Sequence, residues 1–299
     1  MVKKMRKRSG TKTSSFGVSK RENHDSSIFY SSKMYNGQKE SKKQYFENQI
    51  DEIIKNKILC RDSRDMSIIP DSSVHLMITS PPYNASKDYD EDLSMEEYLQ
   101  LLKDVFAETY RVLVPGGRIC VNIANLGRKP YIPLHSYIIR DMLDIGYLMR
   151  GEIIWDKNST GGSCAWGSWQ SAANPTLRDV HEYIMIFSKM NFSRPKGKRK
   201  NTITKEQFLD YTKSIWTFAA ESAKKVGHPA PFPIELPNRL IQLYTYEGDV
   251  VLDPFCGSGT TCLAAFNLNR FYIGIDKSQE YVDLANKRLS KYVNQKKII

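Results

Sequence analysis

Apolar residues recur along this chain in two periods, and the alternation between them predicts its fold. Short, nearly continuous apolar runs bounded by turn residues read as buried strands at 57–62, 74–78, 118–123, 148–155, 180–188, 249–252 and 271–275. Between them, helical spacing recurs at 45–54, 94–113, 133–145, 234–245, 262–268 and 278–292, and weakly at 205–216. Ser94 with Glu97 three residues on forms a capping box opening the 94–113 helix, and Pro115-Gly116-Gly117 closes it. Strands alternating with helices predict an α/β domain, a mostly parallel sheet with helices on both faces.

Three stretches follow neither period. Residues 1–45 are rich in Lys, Ser, Gly and Asn, and read as a disordered arm that leaves 46–299 as the folded domain. From Asp156 to Pro175 a Gly/Ser-rich loop carries Trp166 and Trp169, and so long a loop inside a compact domain is more often functional than idle. Residues 189–205 hold seven Lys or Arg and no acid.

Charge sharpens this division. The formal net charge is +11, and residues 1–43 carry twelve Lys or Arg against three acids, so +9 of it belongs to the arm. That excess suits an anionic partner, or merely keeps a tail solvated. The five cysteines (Cys60, Cys120, Cys164, Cys256, Cys262) are scattered without a CxxC pair, as expected of a reduced, cytoplasmic protein without structural zinc or another metal site. No apolar run is long enough to span a membrane, so a soluble chain with no membrane partner is expected.

Two loops hold the candidate chemistry. The run at 74–78 continues into Thr79-Ser80-Pro81-Pro82-Tyr83-Asn84. Two prolines stiffen this strand end and leave carbonyl acceptors beside an aromatic ring, a setting that suits a flat ligand bearing an amino group, such as a nucleobase. The second loop, Asp253-Pro254-Phe255-Cys256-Gly257-Ser258-Gly259-Thr260, joins a strand to a helix. Its glycines allow close approach of a ligand to the backbone. Asp276 ends the next strand, where it would hold ribose hydroxyls. Asp253 would repel a pyrophosphate but pair with an ammonium, which favours S-adenosylmethionine over a dinucleotide.

These two motifs together resemble the amino-group DNA methyltransferases. Asp253–Thr260 is similar to their cofactor motif and Ser80-Pro81-Pro82-Tyr83 to their catalytic motif. The catalytic motif comes first in this chain, the order of the β class of that family. The resemblance runs from about residue 57 to 292 and takes in Glu152–Lys157, His181–Ile184 and His228–Pro233. It implies a circularly permuted, Rossmann-like methyltransferase fold. The sheet would have seven strands, with 250–253 and 271–276 as its first two, 57–62 as its third and 180–188 antiparallel. It also places Asp62 near the adenine of the cofactor and Phe232 near its methionine end.

The expected reaction follows from the chemistry of an aromatic amine, whose lone pair is delocalised into the ring. Ser80 Oγ and the Pro81 carbonyl would accept its protons so that nitrogen can attack the sulfonium methyl in line. Tyr83 would stack on the flipped base, and Asn84 brace the loop. Carbon-5 methylation of cytosine needs a cysteine nucleophile, usually after a proline, and no cysteine here follows one. Within the family, Ser at the first motif position leans to cytosine N4, and Asp or Asn to adenine N6. The resemblance further implies a site-specific enzyme on double-stranded DNA, monomeric or homodimeric, protecting its site from a cognate restriction endonuclease. Its target-recognition insertion would lie at 190–226, with Arg194, Lys196, Lys198, Arg199 and Lys200 on DNA. Adenine-N6 methylation, RNA or protein-amide methylation, and a non-catalytic DNA-binding relative are the competing readings.

Overall fold

The computed structural model describes residues 33–35, 40–41, 44–83, 93–127, 129–159, 167–221 and 232–296. Asn84, Trp166, Cys164, most of the 85–93 loop and His228–Pro231 lie outside them, as does nearly all of the basic arm. Residues Met1–Ser41 form one unit, in which Lys33–Tyr35 is a 3-10 turn. The second unit, Lys42–Ile299, contains the sheet.

Eight strands form that sheet: β1 (Lys57–Cys60), β2 (Val74–Thr79), β3 (Leu113–Ile123), β4 (Tyr147–Asp156), β5 (His181–Lys189), β6 (Ile215–Thr217), β7 (Val250–Asp253) and β8 (Phe271–Asp276). Their order is β1-β8-β7-β2-β3-β5-β4-β6. The strands flanking the glycine loop thus return to the middle of the sheet, between β1 and β2, which is the permuted order expected. β5 is antiparallel to both neighbours, and every other pairing is parallel. The count departs from seven by β6, a short edge strand beside β4. Its Trp216 is 1% exposed, so an aromatic anchor rather than helical spacing decided the conformation there. Only Lys205–Tyr211 is helical in that stretch, opened by a Thr204–Gln207 capping box.

Six helices accompany the strands among the described residues: α1 (Met95–Val112), α2 (Leu134–Ile145), α3 (Lys205–Tyr211), α4 (Glu235–Tyr244), α5 (Thr260–Asn267) and α6 (Gln279–Lys296). In α1 the expected capping box is complete, with Glu97 N–H donating to Ser94 Oγ at 3.2 Å and Ser94 N–H to Glu97 Oε2 at 2.8 Å. Two apolar clusters form, one on each face of the sheet. The first packs Tyr98, Leu102, Val105 and Phe106 of α1 with Ile138 and Met142 of α2 against Met77, Ile119 and Leu252. The second packs Leu236 and Leu240 of α4, Leu263 of α5, and Ala285 and Leu289 of α6 against Leu76, Ile78 and Val251.

Two local expectations fail for tertiary reasons. Residues 45–54 are not helical: Asn48 N–H donates to Ser72 O and its side chain to Asp71 O, while Ile50 and Ile54 face the core. Pro115-Gly116-Gly117 does not separate helix from strand, because β3 begins at once and passes through it as an irregularity, with Val74 opposite Leu113 but Leu76 opposite Arg118. Gly116, at φ 79°, lies so close to Ser193 that a Cβ would sit 2.3 Å from its carbonyl oxygen.

Candidate active site

In a parallel sheet the strand ends point their loops to one edge, and ligands bind there. That edge here carries Ser80 after β2, the glycine loop after β7, Asp276 ending β8 and Asp62 just after β1. Because β5 runs the other way, its beginning reaches the same edge and places Glu182 between Asn122 of β3 and Lys157 beyond β4.

The two predicted motifs touch. Thr79 Oγ1 donates to Asp253 Oδ1 at 2.8 Å, and Phe255 N–H donates to the same oxygen at 3.2 Å. Asp253 is 1% exposed, and burial raises its carboxyl pKa to about 6. This differs from the expected role of Asp253 as the partner of a ligand ammonium. Buried under the loop, it instead fastens the catalytic strand to the cofactor strand. From the other side Ser63 Oγ donates to Pro254 O at 2.5 Å, and Arg288 of α6 donates to Ser258 O at 3.2 Å and Thr260 Oγ1 at 2.9 Å. Gly259, at φ 75°, sits at the helix start, where a Cβ would come within 3.0 Å of Ala285 and Leu289. Ser63 and Arg288 carried no sequence signal beyond their residue types.

Asp276 accepts from Gly257 N–H through Oδ2 and from Ser278 N–H through Oδ1, both at 2.9 Å. A carboxylate has about four acceptor positions, so two remain for vicinal hydroxyls. Asp62 is exposed and paired with Arg64, next to that end of the sheet. Phe232 is half-buried against the second apolar cluster, and Phe255 against the first. The donor and acceptor set of this edge fits a nucleoside with a ribose.

Ser80, Pro82 and Tyr83 are half-buried and Pro81 is buried. The Pro82 carbonyl is held by Tyr98 of α1, whose hydroxyl donates to it at 2.7 Å. Ser80 Oγ lies 3.2 Å from Tyr83 Oη, and Tyr83 Oη donates to Glu182 Oε2 at 3.1 Å. Asn122 Nδ2 donates to the same carboxylate oxygen at 2.6 Å and reaches Ser80 Oγ at 3.5 Å, while Lys157 Nζ pairs with Glu182 Oε1 at 2.5 Å. Burial and the Glu182 charge hold the Tyr83 phenol protonated. The sequence offered a signal for these partners: Asn122 is a polar residue in an apolar strand, and Glu182 and Lys157 lie in the supporting stretches of the resemblance.

The basic segment lies elsewhere. Since β5 ends at the amino edge of the sheet, residues 190–200 begin on the side opposite Ser80. Arg194 pairs there with Asp249, just before β7, and its guanidinium sits 4.7 Å from the Tyr246 ring. Arg199 pairs with Glu47, which also meets His75 Nε2 at 2.9 Å. Lys200 pairs with Glu247 at 3.4 Å. Lys196 and Lys198 are exposed on that side. Arg194 and Arg199 were expected on DNA; the reversal of β5 places them in an internal ion-pair cluster instead.

The sheet order and the joined loops define an α/β methyltransferase fold whose two working loops share one edge. Residues 74–287 match the family described as DNA methylase (N6_N4_Mtase), and the chain belongs to that amino-methyltransferase family. It is 35% identical over 296 residues to the type II methyltransferase M.MjaI of Methanocaldococcus jannaschii, covering 82% of this chain and 97% of that protein. It is 30% identical over 272 residues to M.MthZI of Methanothermobacter thermautotrophicus, covering 79% and 77%. Among solved structures, the DNA modification methylase TTHA0409 of Thermus thermophilus, in its complex with S-adenosyl-L-methionine, has 29% identity and a TM-score of 0.64 over 79% of this chain and 93% of that one. The PvuII cytosine-N4-specific enzyme shares the fold at TM-score 0.62 and 22% identity, over 77% and 84%. The chain is therefore a DNA methyltransferase, and none of its described helices is long and apolar enough to cross a membrane.

Proposed function

We infer that this enzyme methylates the exocyclic N4 of a cytosine flipped from a short double-stranded site, and so protects that site from a cognate restriction endonuclease. The observation that carries this reading is Ser80, a neutral hydroxyl, standing where the strand end meets the glycine loop through the Thr79–Asp253 hydrogen bond of 2.8 Å. S-adenosylmethionine supplies the electrophilic methyl group when bound. Gly257, Ser258, Gly259 and Thr260 would line its amino-acid end together with Phe232, and Asp276 its ribose, with Asp62 beyond.

Ser80 Oγ and the Pro81 carbonyl accept the amine protons and let the nitrogen leave the ring plane. The Tyr83 ring stacks on the base, which offsets part of an unstacking cost of a few kcal/mol. DNA approaches the carboxyl edge, so the recognising elements are loops on that edge: 157–180, with Arg178 and the exposed Trp169 and Leu177, and the segment after β6. Within the expected insertion at 190–226, only the part beyond Thr217 faces the site, since β6 ends beside Asp156.

Incubating the enzyme with labelled S-adenosylmethionine and mixed-sequence duplex, then digesting and separating nucleosides, tests the reading. Label in N4-methylcytosine is expected. Label in N6-methyladenine would replace cytosine by adenine, and label in RNA alone would remove DNA as substrate.

A further inference from the structure

The network behind Ser80 contains a carboxylate that the reaction as described does not use. Glu182 is 7% exposed, and its Oε2 accepts hydrogen bonds from Tyr83 and Asn122 while Oε1 meets Lys157. A carboxylate at that depth needs donors, and three are provided. Structural need alone leaves one feature without a reason: the donor from Tyr83 continues to Ser80 Oγ, only 3.2 Å beyond. With Tyr83 donating to Glu182, its oxygen can accept from Ser80, and the serine lone pairs then face outward toward the target amine. Asn122 adds a second contact, reaching both Ser80 Oγ and Glu182 through Nδ2, while its buried Oδ1 has no hydrogen-bond partner among the described residues. An amide oxygen left so costs about 1–3 kcal/mol, a cost removed by a donor arriving in the site.

The geometry points to Glu182 as the positioning residue and final proton acceptor of the transfer, acting through Tyr83 on Ser80. This rests on the amine-methylation reading above. As the nitrogen lone pair forms the new N–C bond, the S–C bonding pair stays on sulfur and the nitrogen must lose one proton. That proton passes to Ser80 Oγ, the serine proton to Tyr83 Oη, and the tyrosine proton to the Glu182 carboxylate. One proton leaves the amine and one arrives on Glu182, so Ser80 and Tyr83 end as they began. Lys157 stands beside Glu182 as its counter-ion and gives the acid limb of the pH profile a dependence on its own charge. Tyr83 therefore has two separable duties, stacking through its ring and relaying through its hydroxyl.

The test compares wild type with Glu182→Gln, Tyr83→Phe and Lys157→Met, on whichever nucleoside the wild type labels. Glu182→Gln and Tyr83→Phe are each expected to lower kcat about 100-fold, within the usual range for a lost proton acceptor. The KM for DNA and the affinity for S-adenosylmethionine should stay within about twofold, and combining the two variants should add little to either. For Lys157→Met the acid limb of the kcat profile should move up by about one pH unit, because a neighbouring cation favours the charged carboxylate. A Glu182→Gln enzyme with wild-type kcat and an unshifted profile overturns the relay, as does full additivity of the two variants. Loss of cofactor affinity or of thermal stability in step with kcat would show a merely structural carboxylate. Wild type that labels no DNA would overturn the methylation reading itself, and the relay with it.

Discussion

The two edges of this sheet carry polar clusters of similar make-up and opposite purpose. At the amino edge, Glu47 and Asp249 face Arg194, Arg199 and His75, so acids and bases are balanced and Asp249 is 2% exposed. At the carboxyl edge, Glu182 is shared among Tyr83, Asn122 and Lys157, and the chain of contacts ends at a half-buried serine hydroxyl. The first cluster closes on itself; the second opens at Ser80. Burial of charge alone does not distinguish a catalytic site from a structural one. What distinguishes them here is whether the network leads to a group that faces the ligand edge of the strands.

The largest effect that would sharpen this contrast is on turnover. Ser80→Ala should lower kcat by about 100- to 1000-fold, as for a removed transition-state acceptor, with cofactor affinity and melting temperature unchanged. Arg194→Ala is its counterpart. Removing one member of a buried pair costs about 3–5 kcal/mol, so thermal unfolding should shift strongly downward while turnover per folded molecule stays near wild type. If the two variants exchanged phenotypes, the contrast would be broken.

pH separates the edges with opposite signs. Burial raises the Asp253 carboxyl to about 6. Its contribution to stability is fully present below its ordinary value near 3.8 and lost as pH rises through about 6. At about 1.4 kcal/mol per pH unit, that is a slope worth about 3 kcal/mol, which Asp253→Asn should flatten in denaturation curves taken from pH 4 to 7. Glu47 behaves the other way. Burial pushes it up, but hydrogen bonds from His75 and Tyr45 and the charges of His75 and Arg199 prevail and hold it at about 2. Its stabilisation is present above 4.5 and is lost as pH falls toward 2, so Glu47→Gln should soften acid unfolding.

The smallest expected effect concerns DNA. Lys196 and Lys198 lie on the edge away from Ser80, so replacing both by Ala should leave the salt dependence of DNA binding nearly unchanged. Deleting residues 1–43, which hold +9 of the net charge, should flatten it by several units if the arm lies on phosphates. An equal slope in the deleted enzyme would make the arm a passive tail.

Much of this was legible because two signals agreed. Apolar runs marked seven of the eight strands, and the order of Ser80-Pro81-Pro82-Tyr83 and the glycine loop revealed the permutation. The eighth strand escaped because three residues, Ile215–Thr217, hold no period, and one buried tryptophan decided them. The basic segment was misplaced for a different reason. Its composition read as a nucleic-acid surface, but composition carries no direction, and the reversal of β5 turned it to the opposite edge. Arg194 and Arg199 found their anions in Asp249 and Glu47, 55 and 152 residues away in sequence. Glu182 was visible as part of a motif, but its role depends on contacts with Tyr83, Asn122 and Lys157, whose convergence only the folded sheet reveals.

The central claim, that DNA meets the carboxyl edge and not the basic amino edge, has a direct test. A photoreactive side chain is placed at Leu177, 87% exposed in the 157–180 loop, and in a separate variant at Lys198, and each enzyme is irradiated with duplex DNA and S-adenosylmethionine. The account predicts DNA adducts from position 177 and none above background from 198. Adducts from 198 with none from 177 would contradict it.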